Sequence, residues 1–177
     1  IKRMQTIKIY DRNDLIEISF EDIYKYHGTL AYMAIGVGFR VIQAAFEALY
    51  GEDVPNRKDI SILSGHGGPG FRDVFEFVTR AQSRDTYIVD TTYPKAQYDP
   101  YRPTSYAYIF TRETGEAVEV VLKENFLPPI FYELLKKGRE DSFTPEEYLY
   151  NEQLKQNLGN RALQLPINEL VEVTKLK

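Results

Sequence analysis

Only two histidines occur in this chain, and each stands directly before a glycine: His27 in "YKYHGTL" and His66 in "ISILSGHGGPGF". Imidazole titrates near neutrality and binds metals through either ring nitrogen, so each could serve as a general acid–base or as a ligand. Both fall where a regular element ends, and binding groups tend to be presented at such places. Two histidines alone make a poor zinc site. Further ligands would have to come from Asp, Glu or water. Exposed loop histidines are also common, so the local pattern reads equally as a site or as a pair of turns.

The second histidine lies in a loop holding Gly65, Gly67, Gly68, Pro69 and Gly70. A glycine loop that opens a helix offers free backbone N–H groups to an anion. The spacing "GHGGPG" nevertheless lacks the Lys-Ser/Thr pair of a P-loop and the G-x-G-x-x-G of a dinucleotide fold. What remains is that something approaches the backbone here. Asp73, in the first turn of the next helix, reads as a dipole-stabilising acid or as a site residue. Ser64 lacks a G-x-S-x-G elbow, so serine catalysis has little support. Tyr93, Tyr98, Tyr101, Tyr106 and Tyr108 could line a pocket for a flat ligand, but such clusters more often seal a loop or form a dimer face.

The elements that must position these groups follow from periodicity. Residues 1–18 hold two short alternating runs, "TIKIY" and "LIEIS", readable as strands or as an extended arm. Ser19 with Asp22 three residues on starts a short helix that breaks at His27-Gly28. Thr29 to Gly51 is the strongest helix signal, with Gly36 and Gly38 inside it, each costing about 1 kcal/mol relative to alanine. Tight helix packing explains two such glycines better than a ligand does. Strand "DISILS", helix "FRDVFEFVTRAQ" and strand "TYIVDTT" come next. A Pro- and Tyr-rich loop over 93–105, a hairpin from 106 to 122 and a short helix ending at Gly138 complete the expected core. Thr144-Pro145-Glu146-Glu147 starts a further helix expected to run to Leu158 and to stop at Gly159-Asn160. The expectation is an α+β domain with a mixed sheet over residues 1–138 and a helical tail over 139–177, packed on the core or on a partner.

Composition bounds the function. At 177 residues the chain can bury about 70 % of its unfolded surface and needs no metal or disulfide to fold. A net charge of −4 argues against general phosphate-backbone binding, so no nucleic-acid partner is expected. Cysteine is absent, which removes disulfides, iron–sulfur clusters, thiolate zinc and a cysteine nucleophile. No long apolar run suggests a membrane span. The first residue is Ile1 rather than methionine, so the chain reads as trimmed or processed; a cytoplasmic location is favoured, with a removed signal peptide left open.

The order of elements resembles the FmdE-like family, named for a component of formylmethanofuran dehydrogenase. There a short helix leads to "FHGHxCPG" and then to a helix with a "GxR" step. Here Tyr26-His27-Gly28 matches the start and Gly38-Phe39-Arg40 the later step. "SGHGGPGFRDVFEFV" takes the place of the family's second motif, with Asp73 on its aspartate, and "SYAYIFTRETGEAVEVVLK" resembles its closing hairpin. The resemblance covers Ser19 to Lys123. It implies a thioredoxin-like α+β core, frequent dimers and a metal site on the two loops, in proteins associated with a molybdenum or tungsten enzyme. The departures are specific: Thr29 stands for the second motif histidine, Ala31 and Gly70 for cysteines, and the C-terminal zinc finger is missing.

Three functional expectations follow. In the first, the chain is an accessory rather than catalytic protein, a homodimer and possible member of a redox-enzyme complex. It binds a metal ion or metal-containing cofactor (zinc, nickel, iron or haem) through His27 and His66, with Gly28, Gly67, Gly68, Gly70 and Asp73 around it. In the second it is a small hydrolase or lyase with His66 as general base. In the third it is a ligand-free dimeric interaction module.

Overall fold

The computed structural model describes residues 5–177; the first four residues, which precede and lead into the "TIKIY" arm, lie outside the described range. Strands β1 (Ile7–Asp11) and β2 (Asp14–Ile18) form an antiparallel hairpin, turned by Arg12 at φ +58. Alternation places Ile7, Ile9 and Ile18 inward, and these side chains join the core. Helix α1 (Phe20–His27) opens with the expected capping box between Ser19 and Asp22 and ends on Gly28 at φ +89. That is a conformation glycine adopts without strain.

Helix α2 (Tyr32–Tyr50) is the axis of the molecule. It is long and apolar enough to cross a membrane by length and composition, yet most of it is buried inside the fold, as a core helix would be. Strand β3 (Ile60–Ser64) leads through the glycine loop to α3 (Pro69–Thr79), and β4 (Tyr87–Val89) returns parallel to β3. The hairpin β5 (Ala107–Arg112) and β6 (Ala117–Leu122) pairs antiparallel with β3. After α4 (Pro129–Arg139), α5 (Pro145–Gln164) and the single turn α6 (Ile167–Leu170), strand β7 (Val171–Lys175) pairs with β6. The mixed sheet therefore runs β4-β3-β5-β6-β7 with helices packed on it, the α+β architecture expected, and the helical tail ends in an edge strand.

Two details of the tail differ from the expectation. Helix α5 does not stop at Gly159-Asn160 but continues to Gln164, with Gly159 buried. Gly159 lies against Tyr32 and Gly36 of α2: a Cβ at Gly36 would stand 2.9 Å from the Gly159 carbonyl oxygen. Packing of that kind outweighs a local propensity of about 1 kcal/mol. The segment "VEVTK" is strand rather than helix because β6 offers it an unpaired edge.

The two glycines of α2 have separate partners. Gly36 admits α5, while a Cβ at Gly38 would touch Phe71 and Val74 of α3 at 3.4 Å. Arg40, one turn further, reaches the end of α5, where its Nη1 donates to the carbonyls of Ala162, Leu163 and Leu165 at 2.8, 3.1 and 2.9 Å. A helix leaves its last carbonyls without intrahelical donors, and a guanidinium there satisfies them and opposes the negative end of the helix dipole.

Candidate functional site

His27 is the last residue of α1, and its ring is 4 % exposed. Its Nδ1 lies 2.8 Å from Oδ2 of Asp73, in the second turn of α3. A carboxylate only accepts, so Nδ1 carries the shared proton, and in the neutral ring it is Nε2 that presents a lone pair. That Nε2 is buried and has no hydrogen-bond partner among the described residues. Asp73 is held in turn by Arg72 Nε at 3.3 Å. A carboxylate behind one imidazole nitrogen, with the other free, is the arrangement that orients a metal-ligating histidine. The contact joins residues 46 positions apart, so the fold rather than local sequence creates it.

His66 is placed differently. Its Nδ1 accepts from the Gly68 N–H at 2.9 Å, which puts the ring proton on Nε2 and leaves no lone pair for a metal. The ring packs between Phe71 and Tyr106, with centroids at 5.0 and 5.1 Å. Burial, with a smaller effect from the Arg102 charge, pushes its pKa down to about 3. This arrangement does not favour His66 as a general base or as the partner of His27 in ligation: it is a neutral side chain that closes its own loop.

This placement has a measurable consequence. Between pH 6.5 and about 3 the unfolded chain takes up a proton at His66 that the folded chain refuses. Stability therefore falls as pH falls through that window, by at most about 1.4 kcal/mol per pH unit from this residue, and its contribution is constant above it. Denaturant unfolding of the protein and of His66→Phe at several pH values checks this. A slope as steep in the variant would contradict it.

The glycines of the loop are occupied by the chain itself. A Cβ at Gly68 would stand 2.6 Å from His66 Cε1, and one at Gly70 would stand 2.6 Å from Ala34 Cβ and 2.8 Å from Ala31 Cβ. The Gly68 amide at the start of α3 is already used by His66. What approaches the backbone of this loop is thus the chain's own neighbouring side chains. Gly67 lies beside Val89 and Thr91, and Gly28 faces open space. Ser64 is fully buried, and its hydroxyl donates to the His66 carbonyl at 2.8 Å.

Ala31 and Gly70, the two positions where the family resemblance expects cysteines, are brought together: a Cβ at Gly70 would stand 2.8 Å from that of Ala31. No family model matches the chain, and no curated protein matches it. A solved structure does: the crystal structure of an FmdE-like protein of the tungsten formylmethanofuran dehydrogenase type from Syntrophus aciditrophicus. It superposes at a TM-score of 0.50 over 90 % of this chain and 72 % of that one, at 12 % identity. The fold is FmdE-like. At this identity the likeness speaks for architecture only. Within that fold, among the described residues, no group of three or more His, Cys, Asp or Glu side chains could hold a metal ion.

The tyrosines seal the long loop against the sheet. Tyr98 stacks on Tyr106 at 6.2 Å and donates to the Leu122 carbonyl at 2.8 Å. Tyr93 donates to the buried Glu119, which Lys95 also meets at 2.9 Å. Arg102 pairs with the buried Asp99 three residues earlier in the same loop and carried no signal in the sequence.

Proposed function

We propose that the protein is a non-catalytic accessory protein that binds a metal-containing cofactor through Nε2 of His27. The observation that carries this reading is the buried, partnerless Nε2 with Asp73 fixing the opposite ring nitrogen. Leaving such an acceptor unpaired costs about 1–3 kcal/mol, which a ligand would offset. The FmdE-like fold supports it. One imidazole does not hold a bare zinc, nickel or iron ion, which takes three or four protein ligands. The donor set would suit instead a metal that brings its own ligands, such as a haem, which His27 would hold through Nε2. Because Nε2 is buried, the protein must open locally for the cofactor to enter.

Absorption spectra and metal analysis of the protein titrated with haem test the proposal. His27→Ala should abolish the ligand-field change, Asp73→Asn should weaken binding about 10–100-fold, and His66→Phe should leave coordination unchanged. A spectrum identical in the parent protein and His27→Ala would end this reading. The ligand-free interaction module would then stand in its place. Tyr148, Leu149 and Tyr150, at 53, 67 and 51 % exposure on α5, favour that second reading. A homodimer or a redox-enzyme complex would be sought at that face by light scattering of the purified protein.

A further inference from the structure

Helices α1 and α5 leave an open cleft between them of about 570 Å³, and the rings of Phe20, Tyr24 and Tyr32 line it. A volume of that order suits a small molecule. Phe20 and Tyr24 stand one turn apart on α1 and so share a face. Tyr32, the first residue of α2, meets both edge-on, with ring centroids at 5.8 Å and 85° to Phe20 and at 6.1 Å and 83° to Tyr24. Two of the three rings are held by the rest of the fold. Phe20 packs edge-on against the fully buried Phe39 at 5.8 Å. Tyr32 lies against Gly159 of α5, and its hydroxyl donates to Asn160 Oδ1 at 2.8 Å. Tyr24 is the exposed ring of the three. Rings fixed before a ligand arrives lose little freedom when it binds.

The charged residues lining the cleft are Glu21, Glu152 and Lys155, two carboxylates against one ammonium. Lys155 is largely buried; its Nζ donates to the Leu30 carbonyl at 2.9 Å and meets Glu152 Oε1 at 2.9 Å. It therefore neutralises Glu152 and is engaged at the turn before α2. Glu21 is left as the uncompensated charge, since its ion pair with Lys25 is 3.5 Å long between two highly exposed side chains. Such a pair contributes little. We propose that this cleft binds an organic ammonium ion, a methylated amine whose apolar shell meets the three rings while Glu21 answers its charge. Aromatic faces carry partial negative charge and attract a cation that is already poorly hydrated. An anion would meet the wrong sign, and a neutral apolar molecule would use the rings but not the carboxylate. His27 does not line the cleft, and no metal is needed.

The test is a titration of the full chain with choline and, separately, with dimethylbutanol, the neutral alcohol that carries carbon in place of the choline nitrogen. Proton magnetic resonance follows the methyl groups of each, which the ring currents of the cleft should move upfield on binding. Choline should bind at least about fivefold more tightly than the alcohol. Tyr24→Leu should weaken choline about tenfold. Glu21→Gln should weaken it about two- to fivefold and reduce its dependence on ionic strength. Both substitutions replace exposed side chains, so the melting temperatures of the variants should stay close to that of the parent. Methyl resonances that do not move at millimolar choline would overturn the proposal. Equal affinity for choline and the alcohol would overturn it too, as would binding of choline unchanged in Tyr24→Leu. Coordination at His27 is read separately, from the spectra of His27→Ala, so either reading can fail without the other.

Discussion

Gly159→Val is expected to destabilise the fold by about 3 kcal/mol, lowering the melting temperature by roughly 10 °C. A Cβ at Gly159 would stand 2.3 Å from Tyr32 Cδ1 and 2.8 Å from the Tyr32 carbonyl oxygen. A ring can turn a little, but a backbone carbonyl inside a helix cannot. Gly36→Ala meets the same contact from α2, at 2.9 Å from the Gly159 oxygen and 3.2 Å from its Cα. Each substitution regains up to about 1 kcal/mol of helix propensity, so the net cost measures how far packing exceeds propensity. The two effects should be clearly non-additive, because once either residue has forced the helices apart the second meets less resistance. Calorimetric melting of the single variants and the double variant checks both statements. Additive losses would show that the two glycines do not share one contact.

Arg40→Ala should cost about 2–4 kcal/mol, since hydrogen bonds from a charged donor contribute about 1.5–3 kcal/mol and three carbonyls lose their partner. Burial lowers the pKa of this guanidinium from its ordinary value, but it stays charged, so the effect is independent of pH in the neutral range. The loss should be local before it is global. Hydrogen exchange at the end of α5 and along β7 should quicken first, because Arg40 joins α2 to the turn that leads into that strand. Arg40→Lys should recover part of the stability, as a single ammonium has fewer fixed donors than the guanidinium. Uniform exchange along the whole chain in Arg40→Ala would contradict this anchoring role.

Both residues illustrate what was legible from the chain alone. The glycines of α2 read as close helix packing, and the structure agrees; which helices they admit could not be read. Gly159 read as a stop, because glycine is a poor helix former in isolation, yet it sits mid-helix where α5 crosses α2. Arg40 stood out only through the resemblance, while its partners lie more than 120 positions away. The two histidines looked equivalent, each at an element end and each before a glycine. Nothing in "YKYHG" or "SGHGG" distinguishes a ring backed by Asp73 from one whose Nδ1 is taken by the following amide loop.

The amino-acid sequence by itself determined most of the elements before the C-terminal tail, the α+β class, the absence of any thiolate chemistry and the order of segments that resembles the FmdE-like family. These follow from short-range physics: apolar periodicity of two or of nearly four, capping boxes at Ser19 and Thr144, and turns at glycine and proline. Tertiary structure decided the chemistry. Whether an imidazole nitrogen keeps its lone pair depends on which group from a distant segment reaches the other nitrogen. Whether a glycine loop is open depends on which side chains fill it. Long-range packing sets both, and so His27 is left with a free Nε2 while His66 is locked as a neutral donor.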